Sequence, residues 1–279
     1  MGRTIAIVSG KGGVGKTSLV ANLGIALAKR GISVCLVDAD IAMANLSLLL
    51  GMQSSPITLH DVLLGEATIQ DAIYDGPSGL KFIPSGLSLE NYRRVDSDRL
   101  TSIIQSIAPK FEFVLLDGPA GIEKTVLATI AACEEVLLVT VPDPPSVADV
   151  LKTKIVSQRL GSKPVGVILN FVRGEKGEIK KEEISRMLEL PIYGAIPYDE
   201  EMHKSFMREK VAPVILRAPN SPAAKAIYNL AARLAGIPVK EEPVETQKEG
   251  VFTRLFKIFS RKNSTPSNRS SKNMEELSV

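Results

Sequence analysis

The stretch Ser9-Gly10-Lys11-Gly12-Gly13-Val14-Gly15-Lys16-Thr17 limits this chain more than any other. An apolar run, Ile5–Val8, precedes it, and a helical pattern through Ser18, Leu19, Val20, Leu23 and Leu27 comes after it. The spacing Gly10-x4-Gly15-Lys16-Thr17 is that of a phosphate-binding loop between a strand and a helix. Glycines let backbone N–H groups turn inward around a phosphate without Cβ clashes. The helix that starts there adds its positive dipole end and unpaired N–H groups. Gly10, Lys11, Gly12, Gly13, Val14, Gly15, Lys16, Thr17 and Ser18 are therefore the candidate nucleotide contacts. Lys16 is placed to neutralise the outer phosphates, and the Thr17 hydroxyl to ligate Mg²⁺. Such a loop needs one lysine, yet Lys11 supplies a second. A side chain at the loop's start does not fold back easily onto phosphates that its own backbone surrounds. Lys11 is expected to project outward, within reach of a nucleotide held by a second subunit.

The rest of the chain reads as short apolar strands alternating with helices. Strands are expected near 4–8, 33–37, 80–83, 113–116, 136–141, 165–169 and 192–196. Helices are expected near 16–30, 97–107, 122–132, 146–160, 181–190 and 221–235, with Thr58 capping a short one over 59–64. This alternation predicts an α/β fold in three layers, a mostly parallel sheet with helices on both faces. Ligands of such sheets bind outside the carboxyl ends of the strands. Two acidic patterns fall there. Asp38-Ala39-Asp40 ends the second strand and puts two carboxylates on one side of an extended chain. Asp38 is a candidate for holding Mg²⁺ through a water, and Asp40 for orienting or deprotonating the attacking water. The run Phe113–Leu116 leads into Asp117-Gly118-Pro119-Ala120-Gly121, four apolar residues and a carboxylate that a strand would fix near the metal. The Gly and Pro after it are expected to form a switch loop. Pro142-Asp143-Pro144-Pro145 stops a strand and sets up the helix from Ser146.

Residues at the ends of the late strands bear on which base is bound. The N/T-K-x-D guanine motif is absent. Asn170 instead ends the sixth strand, and its amide donates and accepts at once, which suits an adenine edge.

These motifs together resemble the MinD/ParA family of dimerising ATPases, and most nearly its MinD-type members, over about residues 3–237. KGGVGKT looks like the family's deviant Walker A loop, with Lys11 at the signature lysine. The stretch from Asp38 to Gly51 resembles switch I, which implies that Asn45 lies near the ribose and attacking water. DGPAGI matches switch II. Asn170 and Pro197-Tyr198-Asp199 match the adenine-contact positions. One departure is Phe171, where the family often has Arg directly after the Asn; here Arg173 comes two residues later. The resemblance implies a P-loop NTPase of the deviant Walker A type that uses ATP/ADP and Mg²⁺, with Lys11, Lys16 and Asp40 in the catalytic set and Thr17, Asp38 and Asp117 toward the metal.

Composition bears on the partner. Of 34 Lys/Arg and 31 Asp/Glu, residues 250–279 hold six and two, which leaves 28 basic against 29 acidic in the body. A DNA-binding body carries its own excess of positive charge, so nucleic acid is not an expected partner. Residues 238–249 read as a polar linker and 263–279 as a disordered tail. Between them, residues 250–262 place Val251, Phe252, Leu255, Phe256, Ile258 and Phe259 on a helical arc of roughly 160°, with Arg254, Lys257 and Arg261 opposite. That is the pattern of a helix lying in an anionic membrane interface, and it resembles the C-terminal targeting helix of MinD-type members. No run long enough to span a bilayer and no signal peptide are read. Cys35 and Cys133 read as reduced buried thiols, and without a C-x-x-C pair an iron–sulfur carrier is disfavoured. His60 and His203 have no ligand-spaced Cys or His beside them.

The expected protein is thus a weak cytoplasmic ATPase of residues 1–237. It would dimerise on ATP, bind the inner face of the membrane reversibly through its tail, and answer to a protein activator or effector. Its expected role is spatial placement of a division site or a surface appendage. A ParA-type DNA-partitioning ATPase and a nucleotide switch whose tail grips a protein are the rivals.

Overall fold

The computed structural model describes residues 2–40, 45–52, 54–86, 97–205 and 211–239. The amphipathic stretch 250–262, with all the expected membrane residues, the tail 263–279 and most of the linker lie outside them.

Eight strands form one sheet in the order β3-β4-β2-β5-β1-β6-β7-β8. They are β1 (Arg3–Ser9), β2 (Val34–Asp38), β3 (Tyr74–Asp75), β4 (Lys81–Ile83), β5 (Phe113–Ala120), β6 (Glu135–Thr140), β7 (Lys163–Val172) and β8 (Ile192–Pro197). All neighbours pair in parallel except β3 with β4. The alternation of strand side chains sorts the core into two layers. Ile5, Ile7, Leu36, Leu115, Leu137, Val139 and Ile168 face α1 (Lys16–Ala28), α2 (Asn45–Leu50), α8 (Glu200–Lys204), α9 (Val214–Arg217) and α10 (Pro222–Leu234). Ala6, Val8, Cys35, Val37, Val114, Leu116, Leu138 and Leu169 face α3 (Leu59–Leu64), α4 (Ser97–Ile107), α5 (Lys124–Ala131), α6 (Pro144–Arg159) and α7 (Lys181–Leu188). Strands buried on both faces read as unbroken apolar runs, which is why the parallel sheet is visible in the sequence.

Two expectations change in detail. β5 does not stop at Leu116: it carries Asp117 inside the strand and continues to Ala120, which pairs with Ser9 after a register shift. The expected switch loop is therefore strand as far as Ala120. Likewise α6 begins on Pro144 and Pro145 rather than after them, because proline lacks only an N–H that the first helical turn leaves unpaired. Cys35 and Cys133 are both free and buried, and burial pushes the Cys35 thiol up to about 12. The cap at Thr58 is present: its backbone N–H donates to the Asp61 carboxylate at 2.7 Å as α3 starts.

Candidate functional site

The site gathers at the carboxyl ends of β1, β2, β5 and β7. β1 delivers the loop, and Gly15 caps α1 in the left-handed conformation at φ 78°, with Gly13 at φ 80°. Gly10 answers a different need. A Cβ there would stand 2.5 Å from the Asp149 carbonyl carbon in α6, so only glycine lets the loop rest on that helix. Ser9 Oγ donates to the Lys11 carbonyl at 3.0 Å and tightens the first turn.

Under the loop lies a buried charge cluster. Lys16 Nζ donates to Asp117 Oδ1 at 2.6 Å, with the two side chains 7% and 1% exposed. Asp38 sits directly opposite Asp117 in the β2–β5 register. Its Oδ1 accepts from the Asp40 N–H at 3.2 Å, while its buried Oδ2 has no partner among the described residues. Burial pushes the Asp38 carboxyl well above the usual carboxylate range, and the neighbouring charges of Asp117 and Asp40 push it further. The Asp40 N–H and the Lys16 ammonium oppose that shift only in part. One ammonium thus serves two adjacent carboxyls, which favours the protonated form of Asp38.

This gives the fold a pH dependence. The folded chain keeps the Asp38 proton over a range, upward from the ordinary aspartate value of 3.8, in which the unfolded chain has released it. The folded state then binds more protons, so stability is fullest below that window and falls as pH rises through it. Asp38→Asn is expected to remove this slope and raise the melting temperature of the nucleotide-free protein near neutral pH. Melting curves from pH 4 to pH 8 check it, and parallel slopes in both proteins would contradict it.

Among the described residues no three His, Cys, Asp or Glu side chains form a metal cage. The donor set still fits Mg²⁺, which takes hard oxygens, keeps several waters and binds through one or two carboxylates plus phosphates. Thr17 stands half-buried in the first turn of α1, and Asp117, with the orphaned Asp38 oxygen in the next strand, lies beside Lys16. Asp40, half-buried, closes the row at the end of β2. Asn45 is the first residue of α2 and is exposed; among the described residues no hydrogen bond ties its side chain to the loop.

Beside the loop opens a cleft of about 600 Å³, lined by Gly13, Gly15, Ser18, Phe171, Arg173 and Tyr198 among others. Asn170 is fully buried against Gly15, and its amide donates to the Val14 carbonyl at 2.8 Å. Its carbonyl oxygen has no partner among the described residues. Phe171 takes a left-handed φ of 55° at the β7–β8 irregularity and stands against Gly15. The Arg173 guanidinium lies over the Tyr198 ring, 3.6 Å from its centre, so a stacked cation borders the cleft although Arg does not directly follow Asn170. Pro197 ends β8 opposite Val172. The Asp199 carboxylate is occupied with structure: it accepts from the N–H of Glu201 at 2.9 Å and of Ala223 at 3.0 Å, holding the starts of α8 and α10.

Lys11 does not stand free in the single chain. Its ammonium is 3.4 Å from Asp143, the N-cap of α6. Met202 and His203 also line the cleft; they come from α8, five residues long, whose sequence carries no distinguishing pattern.

The CobQ/CobB/MinD/ParA nucleotide binding domain matches residues 5–212 of the sequence. The chain belongs to this family. An uncharacterized ATP-binding protein of Methanocaldococcus jannaschii is 41% identical over 94% of the chain and 98% of its own length. Among solved structures, the cell division ATPase MinD of Pyrococcus furiosus is 38% identical with a TM-score of 0.80, covering 85% of this chain and 99% of that one. The septum site-determining protein MinD of Pyrococcus horikoshii, solved with Mg-ADP, is 36% identical with the same TM-score of 0.80, covering 86% and 100%. The eight-stranded sheet is the MinD/ParA fold, and its P-loop is this family's nucleotide site.

Proposed function

We propose that the protein is a MinD-like ATPase whose nucleotide state sets its oligomeric state and its membrane occupancy. The observation that carries this is the buried Lys16–Asp117 pair beside Asp38, held under a glycine loop that also bears Lys11. Loop N–H groups and Lys16 would hold the β- and γ-phosphates. Thr17, Asp38 and Asp117 would hold Mg²⁺, which would supply positive charge against the phosphates. Asp40 orients the attacking water and takes its proton. The Asn170 carbonyl oxygen, left over after the bond to Val14, accepts from a 6-amino group and not from the 6-oxo group of guanine, which favours ATP.

Two loaded copies then close face to face, each Lys11 reaching the other's phosphates. The amphipathic stretch 250–262 would hold an anionic membrane only marginally when single. Two helices joined in a dimer bind more tightly by about 10²-fold through effective concentration. Hydrolysis reopens the dimer and releases it. The MinD relatives, named for cell division and septum-site determination, support placement of a division site; placement of a surface appendage is the other use of the same cycle.

Co-sedimentation with phosphatidylglycerol-containing vesicles tests this. The full chain should pellet with ATP, stay soluble with ADP, and ignore duplex DNA. Phe252→Glu should lower vesicle affinity by about 10²-fold, because a charge lands in the apolar face of each of the two helices. Unchanged pelleting of that variant would count against the membrane role. ATP-dependent DNA binding would favour the partitioning rival.

A further inference from the structure

We propose that Asp143 is an intrachain latch that holds Lys11 until a second nucleotide-loaded copy draws it away. The loop touches the first two turns of α6 and its N-cap at two successive residues. Gly10 rests on the backbone of α6, where an added Cβ would stand 2.5 Å from the Asp149 carbonyl carbon and 2.7 Å from the Val150 nitrogen. The next residue, Lys11, sends its ammonium to within 3.4 Å of the Asp143 carboxylate.

The two halves of the pair differ in freedom. Asp143 is fixed, because the Ser146 N–H and the Ser146 hydroxyl both donate to it at 2.8 Å. Lys11 has a fixed backbone, through the bond from Ser9 Oγ, and a long side chain free to swing. The carboxylate is therefore a stationary receptor and the lysine the moving part. Partial burial pushes the Asp143 carboxyl up, but the hydrogen bonds from Ser146 and the Lys11 charge outweigh it and hold the group ionised below the usual range.

The latch is weak by construction. Its side chains are 41% and 42% exposed, so water and competing anions reach them. Asp143 also lines the same cleft as Gly13 and Gly15, which places the pair at the nucleotide's edge. A triphosphate from a facing copy offers several anionic oxygens against one carboxylate and wins the lysine by competition. Until then the crossing lysine is withheld, which raises the threshold for association. This rests on the proposed role of Lys11 across the dimer.

Two measurements decide it. In the nucleotide-free protein, the Asp143 carboxyl, followed by carbon-13 NMR, should titrate at higher pH in Lys11→Gln than in wild type; coincident midpoints would overturn the latch. With a non-hydrolysable ATP analogue and Mg²⁺, sedimentation velocity should show Asp143→Asn dimerising more tightly. Each exposed pair is worth about two- to fivefold, and two open per dimer, so about four- to 25-fold is expected at low salt, shrinking at high salt. Asn keeps the helix cap, so the fold stays intact. An equal or weaker dimer in Asp143→Asn would also overturn the latch. A wild type that stays monomeric refutes the crossing-lysine role instead, and the NMR titration still decides whether Lys11 is captured by its own chain.

Discussion

Lys16→Ala should abolish ATP binding and, less obviously, destabilise the nucleotide-free protein. The ammonium is the only cation hydrogen-bonded to the Asp117 carboxylate among the described residues, at 2.6 Å and with both side chains almost sealed from water. Removing one partner of such a pair leaves the other as an uncompensated buried charge, which costs about 3 kcal/mol. Asp38, opposite in the next strand, is held toward its protonated form and offers no charge to replace the ammonium. Urea unfolding without nucleotide and titration with a fluorescent ATP analogue measure the two effects. A variant that fails to bind ATP yet unfolds with the wild type would mean that this pair is not closed in solution.

Asp40→Ala is expected to separate binding from turnover. The main chain at Asp40 is held from two sides: its N–H donates to Asp38 and its carbonyl accepts from Ser85 Oγ at 3.3 Å. Cutting back the side chain should leave that frame in place. General-base catalysis contributes about 10²- to 10⁴-fold, so hydrolysis should fall by that factor while ATP affinity and association persist. The variant should stay on vesicles long after wild type has left them. Normal turnover in Asp40→Ala would move the general-base role to another group.

Much of this architecture is legible in the sequence because it is local. The loop is nine adjacent residues whose glycines and lysines state their use; β1 and β2 are continuous apolar runs ending in Ser9 and Asp38, and the apolar run that opens β5 leads into Asp117. What escapes a reading of the sequence depends on pairing between distant segments. β3 is two residues long and exists only by antiparallel pairing with β4. The extension of β5 through Gly118 and Pro119 depends on β1 beside it, where pairing overrides the turn preference of that dipeptide. Asn170 reads as a base contact, but the bond from its amide to the loop joins residues 156 apart. Likewise Asp199 reads toward the base, and its carboxylate is spent capping two helices. Lys11 reads as pointing outward; its capture by Asp143, 132 residues away, has no local signal.

Everything in the proposed cycle depends on a triphosphate bringing two copies together through Lys11. Sedimentation velocity of wild type and Lys11→Ala, each saturated with Mg²⁺ and a non-hydrolysable ATP analogue, measures this directly. Wild type should run as a dimer and Lys11→Ala as a monomer that still binds the analogue. A wild type that remains monomeric with its site filled, or a Lys11→Ala protein that dimerises equally well, would contradict it.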